Sequence, residues 1–274
     1  MTTDDLPGSP TLPPDPRRPG SAREAYMRQR HAAATARRVS RATYAQLRAG
    51  IRDGAIAFEE RLNEGDLVTM YAANRNAIRR ALQMLASDGL VERHTRTGTV
   101  VTSAIVEFSA TGVLPTTNVA DLRVVELDQA VVPTPPVIAR RMATDSPAVL
   151  AFTQLGLMGD VPLYVRSGYA PQLDVGPDFF DQVVESDQDF RPTAIAFRQL
   201  FGADLGRVET AVEWAPAGSV LSPLLGLDPG TPLLMRDMVL FDVHGLAREL
   251  SFTYFRGDRV SLTYDESWPA PATS

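Results

Sequence analysis

Four side chains between residues 75 and 80 are placed to read a polyanion. Arg75, Asn76, Arg79 and Arg80 fall on the outer side of one helical stretch, while Ala77, Ile78, Ala81, Leu82 and Leu85 form its apolar stripe. A guanidinium presents a fork that matches two acceptors on guanine, and an asparagine amide matches adenine in the same way. The backbone N–H groups at the start of such a helix also favour phosphate. The plainer reading of the same residues is a solvated surface face, and the neighbouring elements decide between the two.

Those elements form a compact series. Leu62, Leu67, Met70 and Tyr71 recur at helical spacing and predict a short helix. Ala72-Ala73-Asn74 is long enough only for a turn, and Asn74 is a good N-cap for a second helix from about Arg75 to Ser87. Asp88-Gly89 ends that helix, with Gly89 suited to the left-handed cap. Leu90-Val91-Glu92-Arg93, a turn over Thr95 to Gly98, and Thr99-Val100-Val101 then predict a hairpin. Helix, turn, helix and hairpin together make a winged helix-turn-helix, whose second helix enters the major groove by its N-terminal end. Residues 41 to 53 supply the first helix of the same domain through Tyr44, Leu47 and Ile51, and Phe58 is expected to pack beneath the loop that follows.

The charge distribution agrees. The 274 residues carry a net charge of −6, with +5 on residues 1–104 and −11 on residues 105–274. A basic N-terminal part on an acidic chain is the pattern of a DNA-binding module joined to a part that does not touch DNA. All 27 basic residues are arginine. Cysteine is absent, which excludes disulfides and thiolate metal sites. Apolar content of 44% and charged content of 22% are ordinary for a globular protein. No apolar run approaches the roughly 20 residues needed to cross a bilayer, and the acidic, Pro-rich start is unlike a secretory signal. A cytoplasmic, nucleoid-associated protein is therefore expected. His31, His94 and His244 have no acid or nucleophile at a catalytic spacing, and no glycine loop of the phosphate-cradling kind occurs, so neither catalysis nor a cofactor or metal is expected.

The domain boundaries follow from composition. Residues 1–38 are read as a disordered and basic N-terminal arm: six prolines precede residue 20, and 21–38 are Ala- and Arg-rich and favour helix. Arg23, Arg28, Arg30, Arg37 and Arg38 there would either lie against phosphates or line a solvated helix. Residues 39–103 form the winged domain. Residues 104–120 (AIVEFSATGVLPTTNVA) are rich in Ser, Thr, Gly and Pro and read as a linker. Residues 121–268 alternate hairpins with helices. Strands are expected at 123–127, 148–158, 162–170, 208–214, 233–243, 247–256 and 260–264, with helices from Pro135, over 178–185, over 193–201 and over 218–225. That is an α+β domain on a largely antiparallel sheet.

The winged stretch resembles the GntR family of bacterial transcription regulators. The resemblance rests on Asn63-Glu64 and Leu67, Asn74-Arg75, Ile78-Arg79 with Ala81-Leu82, Asp88-Gly89-Leu90 and Thr97-Gly98-Thr99. It implies DNA contacts from Glu64, Asn74, Arg75, Asn76, Arg79 and Arg80, and from Arg96, Thr97 and Gly98 at the wing tip. Gly65 stands where relatives carry a base-reading arginine. The second part resembles the UTRA ligand-sensing domain of the HutC subfamily. Leu150 to Met158 followed by Gly159-Asp160, Tyr169 with Pro171, Leu225-Gly226 with Asp228-Pro229-Gly230, and Tyr254-Phe255-Arg256-Gly257-Asp258-Arg259 carry that likeness.

This second resemblance implies a chorismate-lyase-like fold, a homodimer, and effector contacts at Arg166, Ser167, Tyr169, Thr193, Glu249, Ser251 and Phe255. Arg166 would pair with an anionic group and Glu249 would accept from hydroxyls or an amine, or the two would form a strand-bridging ion pair. Pro192, Thr193 and Ala194 at the helix start, with Phe255, suggest a small, acidic, partly apolar effector. The expected function is a homodimeric repressor on a near-palindromic double-stranded DNA operator with half-sites about 10 bp, or a multiple of that, apart, released or repositioned by the effector. The alternative is an enzyme using the chorismate-lyase-like domain on a small acidic metabolite.

Overall fold

In the computed structural model the described residues are 22–94, 98–113, 115, 122–171 and 193–264. The chain divides into two compact units, residues 1–102 and 103–274.

In the first unit, helix α1 runs unbroken from Ala22 to Arg52. The sequence separated an arm ending at 38 from a helix beginning at 41; one helix spans both. Nothing between Ser21 and Gly50 is glycine or proline, and alanine dominates its first half, so no residue breaks it. The two halves differ in burial. Glu24 to Thr35 are exposed throughout, whereas Ser40, Thr43, Leu47 and Ile51 form a buried stripe at helical spacing. The two hydroxyls in that stripe are satisfied within the helix, Ser40 donating to the Ala36 carbonyl at 2.8 Å and Thr43 to that of Val39 at 2.9 Å.

Arg61–Leu62 form a two-residue strand, β1, against Gly98–Val101, which is β3. Leu62 is thus buried from a strand and not from a helix, and Met70, placed with it by spacing, points outward at 68% exposure. Phe58 is also exposed, at 59%, because the loop is tied down by Ile56 instead: its N–H reaches the Gly50 carbonyl and its side chain is buried. Helix α2 (Glu64–Met70) is capped by Asn63, and helix α3 (Arg75–Ser87) by Asn74, whose Oδ1 accepts from the Ala77 N–H at 2.9 Å. The buried residues of α3 are the expected five. Gly89 leaves the helix at φ 67°, and β2 (Val91–His94) pairs with β3 to form the wing.

The second unit is built on a six-stranded antiparallel sheet. Its strands are β5 (Leu122–Pro133), β6 (Ala148–Met158), β7 (Val161–Pro171), β8 (Leu205–Pro216), β9 (Pro232–Asp242) and β10 (Ala247–Arg256), in the spatial order β5-β6-β7-β10-β9-β8. One face is covered by α4 (Pro136–Met142) and α6 (Leu221–Leu225). Ile138 and Met142 pack on Val239, Phe241 and Leu250, and Leu225 packs on Val165 and Leu233. The other face carries α5 (Thr193–Phe201), whose Phe197 and Phe201 pack on Leu150, Phe152, Ala170, Met238 and Leu240.

The stretch read as a linker contains a strand. Val106–Ser109 (β4) pairs in parallel with Val260–Thr263 (β11), and Val106, Phe108 and Val260 are buried with Tyr164 and Phe255 at the other end of the α5 face. The alternation of Val106 and Phe108 with Glu107 and Ser109 is a strand pattern of only four residues, and its partner is 154 positions away, which hid it. The expected helix over 178–185 lies outside the described residues.

Candidate nucleic-acid interface and effector site

On α3, Arg75, Asn76, Arg79 and Arg80 are all exposed, while the buried stripe on the opposite side fixes the helix against α1 and α2. Packing, not charge, holds the helix, so this face stays exposed. Glu64, at the first position of α2, accepts from Arg79 Nε at 2.8 Å and lies 3.7 Å from Arg93 of the wing. It therefore joins α3 to the wing and holds Arg79. Arg93 was not foreseen. It is an outward residue of β2, and only the fold places it beside Glu64.

Asn74 spends its side chain on the α3 cap, which leaves it a positioning role. Gly98 opens β3 at φ 90°, a conformation that L side chains rarely adopt, so the wing turn requires glycine. Arg96 and Thr97 lie outside the described residues.

In the second unit the expected effector residues divide between the two faces of the sheet. Arg166 on β7 and Glu249, Ser251 and Phe255 on β10 share the α5 face. Ser167 and Tyr169 alternate with Arg166 along β7 and project to the opposite face, where Tyr169 packs in the α4 cluster and Ser167 meets Thr153 at 3.3 Å. These two do not join the others. Thr193 begins α5, and its hydroxyl accepts from the Val113 N–H at 3.3 Å.

Arg166 is buried and ion-paired to Glu249, and its Nη1 donates to Gln154 Oε1 at 3.1 Å. Its guanidinium lies over the Phe152 ring, 5.1 Å from the centroid. Next to it stands a residue absent from the sequence-based set. Arg236 on β9 is only 1% exposed, with Nη1 donating to the carbonyls of Ser109 at 2.8 Å and Gly112 at 2.6 Å. Burial, followed by the Arg166 charge, pushes the Arg236 guanidinium down to about 10. Thr253 lies between them, paired with Arg166 on one side and Arg236 on the other. The available signal was the hairpin around His244-Gly245, which sets Arg236 opposite Thr253 once register is counted.

The Arg256-Gly257-Asp258-Arg259 stretch serves the framework. Arg256 grips Asp258 at 3.1 and 2.7 Å and donates to the Leu225 carbonyl at 3.1 Å, tying the β10–β11 turn to the end of α6.

Comparison with known proteins settles the family. The family described as "Bacterial regulatory proteins, gntR family" matches residues 39–101, and the UTRA domain matches residues 110–261. The chain belongs to the GntR family, in its UTRA-containing branch. This regulator is 24% identical over 210 residues to the probable fructoselysine utilization operon transcriptional repressor of Escherichia coli K12, covering 74% of the chain and 83% of that protein. It is 21% identical over 235 residues to the transcriptional repressor NagR of Bacillus subtilis, covering 80% and 90%. The crystal structure of PhnF from Mycobacterium smegmatis shares its fold, at 20% identity and a TM-score of 0.54 over 82% of this chain and 99% of that one. The GntR regulator is thus a ligand-responsive, DNA-binding transcription regulator and not an enzyme. Among the described residues no helix is long and apolar enough to cross a membrane.

Proposed function

We propose that this regulator is a cytoplasmic, nucleoid-associated repressor that binds a near-palindromic operator as a homodimer and lets go, or shifts its spacing, when a small acidic effector occupies the α5 face of the UTRA sheet. The reading is carried by the exposed Arg75-Asn76-Arg79-Arg80 face of α3, with Arg79 held by Glu64. Arg75 and Asn76 meet base edges, Arg79 and Arg80 meet bases or phosphates, and Arg96, Thr97 and Gly98 of the wing meet the neighbouring groove. Repression, not activation, is favoured by the repressor names of the E. coli and B. subtilis relatives.

One surface suited to a second copy is the outer strand β8. It is twelve residues long and exposed along most of its length, with Trp214 at 64% exposure and Val212 outward beside it. Proteins seldom leave an edge of that length and character unpaired. The effector end is centred on Arg166 and Glu249, with Thr193, Ser251 and Phe255 on or over the same face. Ser167 and Tyr169 support it from behind. Effector binding acts by stabilising one of two dimer arrangements more than the other.

The deciding experiment is a gel shift on fragments from around the coding sequence. The wild-type protein is expected to retain one fragment against bulk competitor DNA, and Arg75→Ala to lose it while keeping its circular dichroism spectrum. Unchanged retention by Arg75→Ala would remove α3 from the interface.

A further inference from the structure

The α5 face carries more hydrogen-bond donors than it uses. Among the described residues, four buried atoms there have no hydrogen-bond partner: Arg166 Nε, Arg236 Nε, Ser251 Oγ and Thr253 Oγ1. Their placement follows from strand register. Arg166, Thr253 and Arg236 lie in one row across β7, β10 and β9, and Ser251 is one pleat further along β10 on the same side. The two arginines are two strand spacings apart, about 10 Å at the backbone. A buried polar group left unpaired is costly, so three in one row with a fourth one pleat away call for a further partner.

The chemistry of the row names the partner's sign. Two of the orphans are guanidinium N–H groups, which only donate, and the other two are hydroxyls, which donate or accept. The charged groups acting on Arg236 are Arg166 and Glu249, together with the buried Tyr164 hydroxyl, whose ionisation burial opposes. Glu249 is already paired to Arg166. Two guanidiniums against one carboxylate leave a single positive charge uncompensated among the described residues, and a buried unpaired charge is among the costliest things a fold can hold. One negative charge with two acceptor oxygens closes both accounts. A phosphate monoester, at about −1.5 to −2, overshoots.

We propose that the Arg166–Thr253–Arg236 row, with Ser251, is the subsite for a carboxylate of the effector, and that Arg236 is the residue that selects it. The assignment rests on the reading of the α5 face as the effector site. The carboxylate takes one oxygen to Arg236 Nε and the other toward Arg166 Nε, with the Thr253 and Ser251 hydroxyls donating to the same oxygens. Phe152 and Met238, which flank Ser251 on that face, meet the apolar part of the molecule.

Isothermal calorimetry and thermal shift on the full chain test this with benzoate, its neutral isostere benzamide, and inorganic phosphate. Benzoate is expected to bind and raise the melting temperature, benzamide to do neither, and phosphate to bind at least tenfold more weakly. Thr253→Val, which keeps volume and removes only the hydroxyl, is expected to weaken benzoate several-fold. Arg236→Met should weaken it tenfold or more, with Arg236→Lys intermediate.

Phosphate binding more tightly than benzoate would overturn the carboxylate assignment. Undiminished benzoate affinity in both Arg236→Met and Thr253→Val would remove the row. If Arg166→Met alone then abolished binding, the effector reading would stand without Arg236. Absence of binding by every probe would overturn the subsite, whereas the DNA-binding reading is decided separately by operator retention.

Discussion

The two units use one residue type in opposite ways. In the winged unit the arginines of α3 stand in water, and their ion pairs are partly exposed; Arg79 is 54% exposed beside Glu64. In the UTRA unit Arg166 and Arg236 are buried among aromatic rings, Phe152 under one and Phe255 under the other. An exposed guanidinium is already hydrated and exchanges water for phosphate or guanine at little cost, so it suits a partner that must be released. A buried one has lost its water and needs a defined partner, so it suits recognition of one chemical group. Exposure therefore separates the arginines of α3 from Arg166 and Arg236, where residue type alone does not.

The largest effect that would break this contrast is at Glu249. Glu249→Gln leaves Arg166 beside Arg236 with no neutralising carboxylate, and removing one partner of a buried pair costs about 3–5 kcal/mol. Trp214 lies on β8 of the second unit, so tryptophan fluorescence in urea follows its unfolding. An unchanged midpoint would show that the pair is not buried in solution.

Next is Arg75→Ala, expected to cost about 1–3 kcal/mol of operator affinity through a lost base contact, with no shift in that fluorescence midpoint. Acid sharpens the contrast further. Burial alone would raise the Asp242 carboxyl, but the N–H groups of Leu246 and His244 and the Arg248 guanidinium outweigh it and hold Asp242 below the usual carboxylate range. Its stabilisation is therefore full above the unfolded value of about 4 and is lost as pH falls through the lower folded value. Asp242→Asn should flatten the fall in melting temperature between pH 5 and pH 3, at a neutral-pH cost of roughly 1–3 kcal/mol.

The smallest effect is at the surface. Glu64→Gln should change stability by less than about 1 kcal/mol, yet raise affinity for any duplex by freeing Arg79 and Arg93 from their shared carboxylate. A gel shift with random-sequence DNA reads this, and weaker retention would mean that Glu64 does more to aim the arginines than to restrain them.

Legibility in the sequence followed the distance over which each feature is determined. Helix α3 was readable to its ends because Asn74, the apolar stripe and Gly89 are all local. Strand β1 was not, since two residues carry no period and Leu62 fits a helical spacing as well as a strand. Strand β4 was hidden by its remote partner, and the sequence made it part of a linker. The α5 face of the sheet was half legible. Family positions brought Arg166, Glu249, Ser251 and Phe255 together, but grouping Ser167 and Tyr169 with Arg166 ignored that neighbours on a strand face opposite ways. Arg236 and Thr253 needed the register of three strands, which no single segment encodes.

The pairing of β4 with β11 has a consequence for how the protein is born. Everything the winged head needs has been translated by Thr102, whereas the strand that completes the second unit ends at Thr263. At roughly 5–20 residues per second, some 10–30 s of synthesis separate the two. A nascent chain on the ribosome therefore carries a finished reading head well before it has any means of sensing a metabolite, and the last four-residue strand is what ends that interval.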